Sequence, residues 1–176
     1  MTTKVTGPNG MFKLHNDGMS RVVGRYKLAT DLSLESEYGS VAMSSLYLLD
    51  FTSPNIWQQD NTITNGRKMA VAVFAFPTAV DVAYVEMEPN AVAELPDKVN
   101  IHLGNTVNVL YDVTDPYVTA DGTEYLSNIV MSVDKYTSPI NVITGVNFIR
   151  ITMINENATA GSPIPSLKNL KVYVRN

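Results

Sequence analysis

Apolar and polar residues alternate in short segments along most of the chain. The pattern is clearest near the C-terminus, where Phe148 to Ile154 and Leu170 to Val174 place apolar, often β-branched residues at nearly every second position. This period is typical of half-buried β-strands. The segment between them, Asn155 to Pro165, is polar and contains Gly161 and two prolines, which favour turns over helix. The pattern predicts two closing strands joined by a long polar loop.

Segments with the same strand-like character recur upstream. Turn-forming sequences separate them, among them SPN, TNG, FPT, EPN, LGN, DP and DG. Because no convincing amphipathic helix interrupts the series, we expect an all-β protein built as an antiparallel two-sheet jelly-roll sandwich. The predicted strands are Arg21 to Leu28, Val41 to Phe51, Met69 to Phe76, Val80 to Met87, Val99 to Leu103, Val107 to Tyr111, Leu126 to Val133 and Ile140 to Ile143. The residues expected in the core are Phe74, Val82, Val85, Ile101, Ile129, Ile149, Ile151, Leu170 and Val172.

Length and composition fit one domain preceded by an arm. A chain of 176 residues with 45% hydrophobic content can bury one substantial core, so we expect a single sandwich over residues 21–176. Residues 1–20 are rich in glycine and asparagine, with few apolar residues. We expect them to form an extended arm that docks on a neighbouring subunit or folds back on its own sandwich. The apolar residues available for docking are Met11, Phe12, Leu14 and Met19.

Charge and cysteine content exclude several classes of function. The net charge is −4 and no run of lysine and arginine occurs, so nucleic-acid binding is not expected. The absence of cysteine excludes disulfides, thiolate metal sites and thiol nucleophiles. No segment reaches the roughly 18 apolar residues of a membrane helix, and the start of the chain does not have the pattern of a signal peptide. We expect a protein made in a cytoplasm, with no membrane partner.

Four segments carry a resemblance to a known family. LLDFTSPNIWQQD, MAVAVFAFPTAVDVAYVEME, FIRITM and LKNLKVYV resemble the galactose-binding-like, or discoidin-type, jelly roll. The match covers roughly Thr30 to Asn176. It implies that the FIRI strand pairs near the end with the closing LKNLKVY strand, and that Asp50 and Trp57 match the Asp and Trp that often precede the first long strand. The family includes sugar-binding, lipid-binding and structural modules, so the fold alone does not decide function.

The only tryptophan lies in a polar segment and is a candidate ligand-binding residue. Trp57 is followed by Gln58, Gln59 and Asp60. An indole can stack on a sugar face while neighbouring amides and carboxylates hydrogen-bond its hydroxyls. The alternative is that Trp57 packs in the core, as the resemblance implies for the matching family tryptophan. We favour packing and expect Trp57 to be mostly buried, with stacking on a sugar as the alternative.

Acidic residues cluster in one loop-like segment and suggest a metal site. Asp112, Asp115, Asp121 and Glu124 supply the oxygen ligands that calcium prefers. Their spacing does not match an EF-hand, and the alternative is a solvated loop whose aspartates initiate turns. The resemblance implies that a structural calcium, where present, is generally bound through an earlier loop. We therefore expect no cofactor, with a structural calcium as the alternative.

The sequence offers no catalytic constellation. His15 and His102 are far apart, and no GxSxG, HExxH or phosphate-loop motif accompanies them. His102 alternates with Ile101 and Leu103, so we expect it on an exposed strand face. We therefore expect a protein that is not an enzyme. A pair of carboxylates that are distant in sequence and hydrolyse glycosides stays an alternative.

The favoured interpretation is a structural and adhesive protein of a bacteriophage virion, in capsid decoration, a head fibre or the tail. It rests on the 17% of charged residues, the lack of cysteine and of an export signal, and the arm. Expected partners are other virion proteins or further copies of the chain, held through the arm, and a cell-surface glycan. The first alternative is a carbohydrate-binding module, and the second is a glycan-processing enzyme.

Overall fold

The computed structural model describes residues 26–39, 41–60, 66–91, 94–105, 123–132, 134–158 and 164–176. Within these ranges the chain forms ten strands and one short 3-10 helix, η1, and every strand pair is antiparallel. The elements are β1 (Tyr26–Leu28), β2 (Ser33–Gly39), β3 (Val41–Met43), η1 (Ser45–Leu49), β4 (Trp57–Gln59), β5 (Gly66–Pro89), β6 (Lys98–Gly104), β7 (Thr123–Ile129), β8 (Tyr136–Thr137), β9 (Ile143–Ala158) and β10 (Ser166–Arg175).

The long strand β5 belongs to both layers of a sandwich. Its first half, up to Ala75, lies between β2 and β9. Its second half, from Val82, pairs with β10 along one edge and, along the other, first with the start of β9 and then with β8. The first layer has the order β2, β5, β9, β6, β7, and the second has the order β3, β4, β10, β5, β8, with β1 beside β4 on the edge of β10. The ten strands are joined through β5 into one continuous antiparallel sheet, whose two halves form the two layers, and the predicted fold class, an all-β antiparallel sandwich, is confirmed.

The core lies between the two layers and follows the alternation of the strands. On β9 and β10, the residues that alternate inward are buried, as the period of two predicts. Every residue predicted for the core is found there: Phe74, Val82, Val85, Ile101, Ile129, Ile149, Ile151, Leu170 and Val172.

Two predicted boundaries in the first half of the chain are wrong. Pro77 was expected in a turn between two strands, but β5 is continuous through it. The register against β9 shifts between Ala75 and Val80, and such an irregularity accommodates a proline because the ladder there requires no amide donor. The predicted strand from Val41 ends at Met43, and η1 follows it. The short strands β2, β4 and β8 were not predicted.

The closing strands exist as predicted, but they are not neighbours. β5 lies between β9 and β10, so the pairing implied by the resemblance is wrong. β9 also continues beyond Asn155, which pairs with Lys68 on β5, so the loop begins later than predicted. The predicted segment Ile140 to Ile143 forms strand only at Ile143, and β7 ends at Ile129. The predicted strand Val107 to Tyr111 and the arm of residues 1–20 lie outside the described residues.

The outer face of the first layer is buried, and this overturns the expectation for His102. Its side chain is only 4% exposed. Arg150 and Thr152 on β9 are buried as well, so this face of the sheet is covered rather than solvated. Arg150 Nη2 lies 3.3 Å from His102 Nδ1. Since a guanidinium only donates, Nδ1 is the acceptor and the imidazole proton is on Nε2. Burial, aided by the charge of Arg150, lowers the pKa of His102 to about 4.

Gly39 at the end of β2 requires the absence of a side chain. It has a φ of +86°, and a Cβ there would collide with the carbonyl oxygen of Met69. We expect Gly39→Ala to lower the free energy of unfolding by about 2 kcal/mol or more, as measured by urea denaturation. Gly145→Ala is the matched control, because Gly145 has a φ of +70° but open space around it. Equal costs for the two variants would contradict the collision.

Candidate functional site

A cleft lies at the edge of the second layer, where β10 has two partners. β4 pairs with the start of β10, and β1 pairs with its end. Between these pairings, the Ala29 amide donates to the Val172 carbonyl at 2.8 Å, and η1 packs against β10. A cleft of about 290 Å³ opens between the residues that follow β1 and a segment made of the last residue of η1 and the three residues after it. It is lined by Ala29, Thr30, Leu32, Leu49, Asp50, Phe51 and Thr52.

Phe51 provides an aromatic surface in this cleft. The side chain is 37% exposed, which is high for a phenylalanine. Lys171 Nζ lies 5.4 Å from the centroid of the ring, a distance at which an ammonium is attracted to an aromatic face. The ring is therefore held against β10 while part of its surface stays open to solvent.

Asp50 places a fixed carboxylate beside the ring. Its Oδ1 accepts hydrogen bonds from Thr52 N at 3.0 Å, Thr52 Oγ1 at 2.8 Å and Ser53 N at 3.2 Å. The hydrogen bonds from Thr52 lower the pKa of Asp50, so the group is ionised at neutral pH. In the part of the chain that the structure describes, no group donates to Oδ2. One oxygen orders the turn, and the second can accept hydrogen bonds from a ligand.

Hydrogen bonds and core packing fix η1, the helix that directly precedes Asp50 and Phe51. Glu37 Oε2 on β2 accepts hydrogen bonds from Ser45 N at 2.8 Å and from Ser45 Oγ at 2.7 Å. Ser44 Oγ accepts from Leu46 N at 3.3 Å and caps η1. Leu48 is buried in the core. The helix is thus fixed to the first layer at its start and to the core through Leu48, which holds the cleft in a preformed shape.

The residues proposed from the sequence as a sugar site do not line the cleft. Trp57 is 0% exposed and belongs to the core, opposite Leu167. Gln59 is also buried, and its Nε2 donates to the Met153 carbonyl at 2.9 Å, which ties β4 to β9. Gln58 and Asp60 are half-buried. As they stand, the faces of the indole are not accessible to a ligand.

Sequence reasoning missed Asp50 and Phe51 as site residues. It placed both at the end of a strand, although Asp-x-Thr followed by Ser-Pro is a pattern that favours a turn closed by the aspartate side chain. That pattern would have moved the two residues from a strand to a surface turn.

The predicted calcium ligands fall mostly outside the structure's described ranges. Asp112, Asp115 and Asp121 lie outside them, and Glu124 is placed by its backbone on β7, opposite His102. Within the described ranges, no group of three or more metal-ligating side chains comes together. The calcium site stays a prediction.

No helix in these ranges is long and apolar enough to cross a membrane.

A second, smaller cleft differs in chemistry. It measures about 130 Å³ and lies where the end of β6 meets the start of β9. Its lining contains no aromatic and no charged side chain among the described residues, consisting of Leu103, Gly104, Asn105, Ile143, Thr144, Gly145 and Val146.

Comparisons with known proteins identify the fold. No protein-family model and no curated protein sequence matches the chain. Among solved structures, CBM32-3 from a family 31 glycoside hydrolase of Clostridium perfringens has a TM-score of 0.62 at 11% identity, covering 87% of this chain and 97% of that one. The family 32 CBM from C. perfringens NanJ, solved in complex with galactose, has a TM-score of 0.55 at 13% identity, covering 84% and 98%.

An enzyme is also similar in structure. Allantoicase from Saccharomyces cerevisiae has a TM-score of 0.57 at 10% identity, covering 82% of this chain but only 41% of that one. At these identities the likeness concerns the fold alone. The chain therefore has the galactose-binding-like jelly-roll fold that its sequence resembles, shared with family 32 carbohydrate-binding modules.

Proposed function

We propose that this protein is a non-catalytic carbohydrate-binding domain and that the cleft beside Phe51 is its sugar site. The observation that carries the proposal is the pairing of a partly exposed aromatic ring with an ordered, ionised carboxylate, Asp50, in one preformed cleft. The fold supports it, because structures with the same fold are carbohydrate-binding modules, one of them in complex with galactose.

The chemistry of the cleft matches a sugar ring. The C–H face of a pyranose packs on an aromatic surface, which Phe51 provides. Sugar hydroxyls can donate to Asp50 Oδ2 in charge-assisted hydrogen bonds, and Thr30 and Thr52 line the same space. The volume of about 290 Å³ lies just below the roughly 300 to 1,000 Å³ usual for small-molecule sites. One or two sugar units fill such a space.

The same lining favours binding over hydrolysis. Asp50 is the only titratable residue among the described residues that line the cleft. Glycoside hydrolysis usually requires two carboxyl groups that flank the scissile bond, about 5 to 10 Å apart. A single carboxylate that is already ionised and hydrogen-bonded can orient a sugar but cannot serve as both acid and nucleophile.

Phe51→Ala should weaken sugar binding by about tenfold, because the stacking surface is lost while the fold is retained. Isothermal titration would use galactose, glucose, glucosamine and N-acetylglucosamine together with a linear tetrasaccharide of each. Leu46→Ala is the matched control, since Leu46 is also exposed and lies on η1 but does not line the cleft. Failure of the wild-type protein to bind any of these sugars would refute the proposal. Equal losses of sugar affinity in the two variants would mean that the sugar binds at a different place on the protein.

The virion role stays a prediction, since neither the described residues nor the comparisons bear on it. Carbohydrate binding agrees with the adhesive part of that prediction, in which the partner is a cell-surface glycan.

A further inference from the structure

Three tyrosines cluster on the outer face of the second layer. On β10, Val172 and Val174 point into the core, so Tyr173 between them points outward. Its cross-strand partner on β5 is Tyr84, and the two rings are stacked with centroids 4.3 Å apart and an angle of 9°. Tyr26 on β1 meets Tyr84 edge-on at 6.0 Å. Tyr26, Tyr84 and Tyr173 are all half-buried, which leaves part of each side chain open to solvent, and we refer to them as the tyrosine face.

Paired charges surround these rings. Lys135 Nζ lies 3.0 Å from Glu86 Oε1, and the Tyr173 hydroxyl donates to Glu86 Oε2 at 3.3 Å. Burial and the charge of Glu86 raise the pKa of both Tyr84 and Tyr173. Both phenols therefore stay protonated at any ordinary pH, and the Tyr84 hydroxyl can donate to a ligand.

Lys171 connects the tyrosine face to Phe51 in the cleft. Lys171 lies two residues before Tyr173 on the same side of β10, about 7 Å along the strand. Its Nζ lies 5.4 Å from the centre of the Phe51 ring, and it also approaches Glu88 Oε1 at 3.7 Å. A ligand that leaves the cleft over Phe51 therefore passes Lys171 and meets the stacked tyrosines next.

The chemistry of this surface fits a polyol better than a protein. A protein partner would have to desolvate the Glu86–Lys135 and Glu88–Lys171 pairs, which costs more than the pairs regain. The hydroxyls of a glycan can instead hydrogen-bond the charged groups and keep them in polar contact. The stacked rings are already ordered, so contact with them costs little conformational entropy.

We infer that the ligand is a carbohydrate chain rather than a single sugar, with one unit in the cleft and the following units on the tyrosine face. This inference rests on the proposed function of the cleft. It adds a second subsite, formed by the sheet surface, that increases affinity for linear oligosaccharides.

The test compares the monosaccharides named above with their linear tetrasaccharides on the full chain. We expect the tetrasaccharide of the preferred sugar to bind at least tenfold more tightly than the monosaccharide. Tyr84→Ala with Tyr173→Ala should abolish that gain and leave monosaccharide affinity unchanged. Because this double variant removes packing, Tyr84→Phe with Tyr173→Phe is measured as well, and it should reduce the gain while preserving the stack. Val130→Ala, at an exposed position after β7, is the surface control and should change neither value.

The outcomes separate the two proposals. If no sugar binds, the proposed function is wrong and the inference falls with it. If the monosaccharide binds but the tetrasaccharide binds no more tightly, or the tyrosine variants keep the full gain, the second subsite is wrong and the cleft stands. Sedimentation of the sugar-free protein tests the competing occupant: a dimer that dissociates in the tyrosine variants would assign the face to a second copy of the chain and overturn the inference.

Discussion

Replacing Trp57 by alanine should lower the free energy of unfolding by about 3 to 5 kcal/mol, the usual cost of truncating a fully buried large aromatic side chain. The indole has no exposed surface and lies in the core cluster between the two layers. It sits on the short strand β4, opposite Leu167 at the start of β10. Its removal therefore leaves a cavity where the edge of the second layer is held to the rest. Urea denaturation followed by circular dichroism measures the change.

Trp57→Phe separates the volume of this side chain from its polar atom. Trp57 Nε1 has no hydrogen-bond partner among the described residues, so the substitution removes volume but no hydrogen bond. The phenylalanine variant should therefore be clearly more stable than the alanine variant. Its sugar affinity should equal that of the wild-type protein, since Trp57 does not line the cleft. Unchanged stability in Trp57→Ala together with lost sugar binding would refute the packing role and support stacking on a sugar.

Alternation was sufficient to predict the fold class and the core. In β9, a period of two places Ile149 and Ile151 in the core and Arg150 on the opposite face, and this holds regardless of which strands are neighbours. The order of strands depends on long-range pairing, which a local pattern does not contain. For that reason the closing strands were found, but β5 between them was not.

The cleft could not be read from the sequence because two separate segments form it. Thr30 and Thr52 are distant along the chain and meet only because β1 and β4 leave part of the edge of β10 between them. The sequence offered Trp57 as the candidate stacking residue because a lone tryptophan among amides has the composition of a sugar site, although packing was the favoured interpretation and the structure agrees with it. Composition does not report that β4 turns this side chain into the core.

The error at His102 has a different cause. Alternation correctly placed the imidazole opposite Ile101 and Leu103, on the outer face of the first layer. It carries no information on whether that face is covered. Since the face is buried, the same periodicity places a titratable group in a site with little water, beside the Arg150 guanidinium.

Stability should consequently fall by about 3 kcal/mol as the pH is lowered from about 6.5 to about 4. In the unfolded chain the histidine has its ordinary pKa of 6.5, whereas in the folded protein burial and Arg150 lower the pKa to about 4. Between these values the unfolded state binds a proton that the folded state does not, so unfolding becomes more favourable as the pH falls. The neutral His102 thus contributes its full share to the free energy of unfolding above about pH 6.5, and this share is lost below about pH 4.

His102→Gln isolates this contribution, because glutamine does not titrate and its amide oxygen can accept the hydrogen bond from Arg150. All other titratable groups are the same in both proteins, so their effects cancel in the difference between wild-type and variant free energies of unfolding. That difference should change by about 3 kcal/mol in favour of the variant between pH 7 and pH 4. Chemical denaturation at half-unit pH intervals measures it. A difference that stays constant within about 0.5 kcal/mol would mean that His102 is protonated in the folded protein as readily as in the unfolded chain. The inference that the imidazole is buried in its neutral form would then be wrong.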